Sequence, residues 1–191
     1  MTSFDRSSPD HQRDHPRDHP RDHPGQPQDL VVALPRRWVR QRSTDDGVVL
    51  AARAREVPGS GVAPELVLRS TPLDTGAAEA PDGGLHAWAA ASRAVLETQL
   101  DGLDVEDEDT YELDGRPVLY RRFSHRAGGP GGSGGRDVVC DQWSWVADGV
   151  AVTLTGSVAR ADYLDYCDLF EDVAATVDLG PGAIRPGPAA A

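Results

Sequence analysis

The sequence predicts an α+β domain, an antiparallel β-sheet of about six or seven strands packed with two main helices, set between two unfolded ends. Three observations predict it. Apolar and polar residues alternate with period two across most of the middle of the chain, the period changes to about 3.6 in two places, and Asp-Gly pairs stand between strand-like runs.

The ends lack the means to fold. Arg-Asp-His-Pro occurs without a break at 13–16, 17–20 and 21–24, and proline at every fourth position forbids a helix. With hardly any large apolar side chain in residues 1–29, no core can form there, so the segment is predicted to be disordered. Residues 180–191, rich in Pro, Gly and Ala, form a tail of the same kind. The predicted domain is therefore residues 30–179.

Leu30 to Leu34 reads as a first short strand, closed by Pro35. Val48 to Val57 alternates with arginines and stops at Pro58-Gly59, and Glu65 to Leu73 repeats the pattern. From Leu85 the apolar residues Leu85, Trp88, Ala89, Val95, Leu96 and Leu103 follow helical spacing, with Gly102 near the end of the helix. Val105 to Leu113 and Arg116 to Arg126 read as two strands joined by Asp114-Gly115. A glycine-rich loop, Gly128 to Gly135, leads to Asp137–Ala147, and a last helix is expected over Ala161–Ala175.

The Asp148-Gly149 pair permits a register to be derived. A two-residue turn there sets Ala147 against Val150, Trp145 against Val152, Trp143 against Leu154 and Val139 against Val158, with Cys140, Gln142 and Ser144 on the other face. Trp143, Trp145, Val152 and Leu154 then form the apolar face on which both helices are expected to close.

All cationic residues are arginine, and the net charge is −12. The acidity lies in the predicted domain, which repels phosphate backbones and anionic headgroups, so neither nucleic acid nor membrane is an expected partner. No apolar run approaches the roughly 20 residues that span a bilayer, and no signal-peptide pattern is seen, so a cytoplasmic protein is expected. There Cys140 and Cys167 would be thiols, although the sequence leaves open whether they pair.

Nothing in the sequence is a catalytic or cofactor motif, and neither a catalytic residue nor a cofactor is expected. Predicted histidines of the domain are His86 and His125, neither in a nucleophile–base pattern. The glycine-rich loop lacks the Lys-Ser or Lys-Thr of a phosphate cradle, and the acidic run from Asp101 to Asp114 lacks the spacing of a calcium loop. His11, His15, His19 and His23 could take a metal only without a fixed geometry, and no metal site is expected. One local basic patch stands out, Arg36, Arg37, Trp38 and Arg40, which are the candidate partner-binding residues.

The order of elements, with Leu34-Pro35-Arg36-Arg37-Trp38 early, Gly61-Val62-Ala63-Pro64-Glu65-Leu66-Val67-Leu68 at the third strand, Gly115-Arg116-Pro117-Val118 and Asp148-Gly149-Val150 to Thr155, resembles the LpqN/LpqT-type proteins of actinobacteria over residues 30–179. The resemblance implies a PsbP-like α/β/α sandwich, used by its relatives, Ran-binding and secretion-chaperone proteins among them, mainly for binding proteins, with no shared catalytic residues. The named relatives are exported lipoproteins, and this sequence shows neither their signal peptide nor their lipid-bearing cysteine. The expected function is a non-enzymatic protein-interaction module or chaperone-like adaptor linked to secretion. The alternative is a small apolar ligand held among Trp88, Trp143, Trp145, Tyr120 and Phe123.

Overall fold

The computed structural model describes residues 30–74, 84–128 and 135–180. The histidine-rich repeat, the interior of the glycine loop and most of the C-terminal tail lie outside them. Seven strands form one antiparallel sheet: β1 (Trp38–Gln41), β2 (Val48–Ala54), β3 (Glu65–Pro72), β4 (Asp104–Leu113), β5 (Arg116–Ala127), β6 (Arg136–Ala147) and β7 (Val150–Ala159). Their spatial order is β1-β2-β3-β7-β6-β5-β4. Between β3 and β4 runs helix α1 (Leu85–Gln99), and after β7 come a 3₁₀ turn (Arg160–Asp165) and helix α2 (Cys167–Ala174).

This order follows from the connections. α1 carries the chain from β3 to the far edge, and three hairpin-type connections then bring β5, β6 and β7 back until β7 pairs with β3. Two of these turns are the Asp-Gly pairs: Asp114 and Gly115 have φ of 53° and 72°, Asp148 and Gly149 of 51° and 75°. Both central residues of each turn are left-handed, as a two-residue turn matched to strand twist requires. The register derived from Asp148-Gly149 is the one observed, including Trp145 opposite Val152 and Trp143 opposite Leu154.

The main core lies on one face, where Leu66, Leu68, Trp143, Trp145, Val152 and Leu154 meet Phe170, Val173 and Ala174 of α2. Phe170 lies flat on Gly156, where a Cβ would stand 2.5 Å from the ring. Only glycine lets the helix come this close.

The expectation that both helices close on this face is corrected. α1 covers the opposite face, where Leu96 and Leu100 pack on Phe123, Val138 and Cys140, while Ala89 and Ser92 bond to Arg121. The reason is chemical. Gln142, Ser144 and Thr153 alternate as a water-facing row would, yet they are buried under α1 and satisfied by one another: Ser144 Oγ and Thr153 Oγ1 are 3.0 Å apart, and Gln142 Nε2 donates to Thr155 Oγ1 at 3.2 Å. A hydrogen-bonded polar layer can carry a helix as an apolar one can. The result is an α/β/α sandwich.

Two further elements differ from expectation. Leu30–Leu34 is not a strand: Val31 makes a single two-way bridge with Asp178, while Leu30, Val32 and Leu34 pack their side chains on the main core. The first strand is instead Trp38–Gln41, paired with β2 beyond Pro35. The last helix is split, because Tyr166 leaves helical geometry (φ −125°) after the 3₁₀ turn and α2 restarts at Cys167.

Candidate functional site

The predicted partner-binding residues do not act as one patch. Trp38 faces inward and meets Phe170 edge-on, with ring centroids 6.4 Å apart, so its indole is part of the seam between β1 and α2. Arg37 donates to Glu56 at 2.7 Å in an exposed ion pair. Arg36 and Arg40 are exposed at the β1 edge, and Arg40 pairs with Ala52 on the same sheet face as Trp38. Arg36 and Arg40 thus reach solvent beside the paired Arg37, while the indole of Trp38 is turned to the core.

A second constellation lies on the same face, on the side of α2 away from β1. There a cavity of about 290 Å³ is lined by Tyr111 of β4, Tyr120 and Arg122 of β5, Asp141 and Trp143 of β6, and Cys167, Asp168 and Glu171 of α2. Strand register assembles it, since Tyr120 pairs with Trp143 and Arg122 with Asp141.

Asp141 is the centre of this cluster and is only 2% exposed. Its carboxylate accepts from Tyr120 Oη at 2.6 Å, from Arg122 Nε at 3.1 Å and from Tyr163 Oη at 3.0 Å. The Arg122 guanidinium lies over the Tyr163 ring, 4.9 Å from its centroid, and 5.8 Å from that of Tyr120. A buried carboxylate needs such partners, since burying it unpaired would cost several kcal/mol. Trp143 Nε1 donates to Tyr111 Oη at 2.9 Å, tying the cavity floor to the β4 edge.

The titratable groups here are poor nucleophiles. Burial, then the hydrogen bond to Asp141, holds the Tyr120 phenol far above its usual range. Burial and the Asp141 charge do the same to Tyr163. Burial raises Tyr111 as well, and Glu171, Asp109 and Asp141 add to the rise, so a negative field reaches its hydroxyl. Cys167 is raised chiefly by burial, and Cys140 is pushed up to about 12 by burial and then by Asp141. Thiolate chemistry is disfavoured at both.

The two cysteines cannot pair, for Cys140 faces α1 with Phe123 while Cys167 sits on α2 across the sheet, and both are free thiols. His125 stands beside Phe123 on the α1 side and does not reach the cavity. The acidic run of the sequence is mostly the β4 edge strand, where Glu106 pairs with Arg160 and Glu108 with Arg121. No three His, Cys, Asp or Glu among the described residues are grouped to hold a metal. Among those residues, no helix is long and apolar enough to cross a membrane. The aromatics proposed to hold an apolar ligand do not converge: Trp145 is core, Phe123 lies across the sheet, Trp88 is on α1, and only Tyr120 and Trp143 line the cavity.

No protein-family model matches the chain, and no curated protein matches its sequence. Solved structures do resemble it. LpqN, involved in cell envelope biogenesis of Mycobacterium tuberculosis, superposes with a TM-score of 0.54 at 14% identity, over 84% of this chain and 85% of that one. The cyanobacterial PsbP of Synechocystis gives 0.50 at 13%, over 78% and 85%. The fold is PsbP-like. The Ran-binding protein Mog1p of Saccharomyces cerevisiae shares this PsbP-like arrangement, with a TM-score of 0.51 at 11% identity, over 78% of this chain and 89% of that one. At such identities the likeness is one of fold.

Proposed function

We propose that the chain is a non-enzymatic protein-interaction module, a chaperone-like adaptor of the cytoplasm linked to secretion, which receives a basic partner on its α2 face. One juxtaposition supports this best. Leu164 is 85% exposed, directly after Tyr163, whose hydroxyl bonds to Asp141, and its carbonyl lies 3.8 Å from Cys167 Sγ at the cavity wall. A protruding aliphatic side chain beside a mixed aromatic and acidic hollow is the arrangement in which an interface centre forms: an apolar anchor, aromatic walls and charges around them.

The electrostatics point the same way. Asp168 and Glu171 are exposed at the cavity mouth, and the chain carries −12 overall, so a basic segment would be drawn to this face. Arg36 and Arg40, both exposed, form a second contact at the β1 side for acidic groups of the same partner. Arg37, held by Glu56, contributes less. The raised thiols and the saturated Asp141 argue against group-transfer chemistry at the cavity, and the likeness in fold to a Ran-binding protein supports a protein partner.

A photo-crosslinking amino acid in place of Leu164, in the full chain inside its host, tests the reading. The expected result is a discrete protein adduct that weakens with salt and is absent when the probe replaces the exposed Glu97 on α1. No adduct at position 164, or equal adducts at both positions, refutes it.

A further inference from the structure

We infer that the cavity between β4–β6 and α2 is a receptor for a single guanidinium group, presented by an arginine side chain of the partner, with Asp168 and Glu171 as its anionic clamp, Tyr111 and Tyr120 as its aromatic wall and Trp143 at its floor. The inference rests on the protein-interaction reading above and names the chemistry of its central contact.

Size is the first argument. At about 290 Å³ the cavity falls just below the range of about 300–1,000 Å³ that holds whole small ligands. It suits one long side chain. Charge is the second. Asp141 and Arg122 neutralise each other at the floor, 3.1 Å apart, which leaves the mouth to Asp168 and Glu171. These two stand three residues apart on α2, a spacing that places them on one helix face. Asp109, opposite Tyr120 on β4, adds its charge from the other rim. Neither Glu171 nor Asp109 makes an ion pair among the described residues, so both have capacity for an incoming cation.

The wall supplies the third argument. Arg122 already rests against the Tyr163 and Tyr120 rings of this site, so the local chemistry accommodates a guanidinium plane against aromatic faces. A planar, forked cation can meet two carboxylates and stack at once, which an ammonium cannot. Neutral Cys167 offers no competing charge, because its thiol is held protonated by burial. Burial is the main cause of the raised Tyr111 phenol, and the Glu171, Asp109 and Asp141 charges that add to the rise give the same sign of potential inside the hollow.

The indole N–H of Trp143 gives a direct readout, since it sits at the cavity floor, bonded to Tyr111, while Trp88 lies on α1 across the sheet. In the full chain labelled with ¹⁵N, agmatine and a blocked peptide with one arginine between leucines are titrated separately. Both should shift the Trp143 indole resonance saturably and leave that of Trp88 in place, and the peptide should bind more tightly through the Leu164 anchor. The citrulline version of the peptide, neutral but of the same shape, should lose the shift. The variant D168N/E171Q, checked by its thermal unfolding, should weaken peptide binding by roughly tenfold. A Trp143 resonance unmoved by either probe overturns the inference, as does equal binding of the citrulline peptide or of D168N/E171Q. If the photo-adduct at Leu164 persists in that case, the interaction reading stands and only the guanidinium pocket falls. If the indole responds and no adduct forms, the pocket serves a free cation and the protein-partner reading falls.

Discussion

At the scale of single residues, Asp141 is the point on which this face of the sheet is organised. Three donors from β5 and the 3₁₀ turn converge on it, so it organises the cavity floor. The cluster carries a pH signature. Tyr120 and Tyr163 have folded-state values raised above their ordinary 10, so the folded chain favours the neutral phenol. Stability from this source is full below pH 10 and declines progressively as pH climbs from there toward the raised folded-state values, because the unfolded chain ionises first. Urea unfolding from pH 8 to 11 should show a steep alkaline loss that Y120F and Y163F each make shallower, at some cost in stability at pH 8. An identical pH slope in both variants would show that Asp141 does not hold these phenols. None of this was legible beforehand. The sequence shows Tyr120-x-Arg122 and Asp141-x-Trp143, but the glycine loop between β5 and β6 leaves their mutual register open, and without register the four residues have no reason to meet.

At the scale of elements, the parts with local chemistry were readable and the parts set by packing were not. Two Asp-Gly turns fix their own dihedral angles, so β4–β5 and β6–β7 followed from sequence, down to Trp143 opposite Leu154. β1 was hidden because it is four residues long and Arg40 and Gln41 break the apolar signal, while Leu30–Leu34 had the signal and no neighbour to ladder with. The side of the sheet taken by α1 was obscured because it rests on polar side chains. Arg121 explains how that works. It is 0% exposed, and its guanidinium donates to the Ala89 carbonyl at 2.9 Å, to Ser92 Oγ at 3.2 Å and to Glu108 on β4. One side chain therefore joins α1, β5 and β4. R121A removes the donor and leaves buried acceptors unpaired, so chemical unfolding should show a loss of about 3 kcal/mol, and α1 amides should exchange faster than those of α2. Loss below about 0.5 kcal/mol would mean that apolar contacts at Leu96 and Leu100 hold α1 alone.

At the scale of the whole molecule, the sheet has ends of opposite sign. Arg36, just ahead of β1, and Arg40 within it are exposed at one edge, and β4 exposes Asp107, Asp109 and Glu112 at the other, each edge with unpaired backbone groups. Opposite edges of this kind invite head-to-tail pairing, which does not close and so grows. Two features oppose it: β1 is only four residues long, and a net charge of −12 repels copies at a distance. On the proposed reading the acidic edge would have two roles, keeping copies apart and drawing a cationic partner toward the cavity beside it. Removing its charge should separate them. D107T/D109T/E112T keeps strand-compatible side chains while lowering the charge, so light scattering at low salt should show mass rising with concentration more steeply than for the parent chain. Added salt should move the parent in the same direction, since screening acts on the same repulsion. If the variant keeps the parent's mass at every concentration, the edge charges do not restrain assembly, and the acidity of β4 belongs to partner attraction alone.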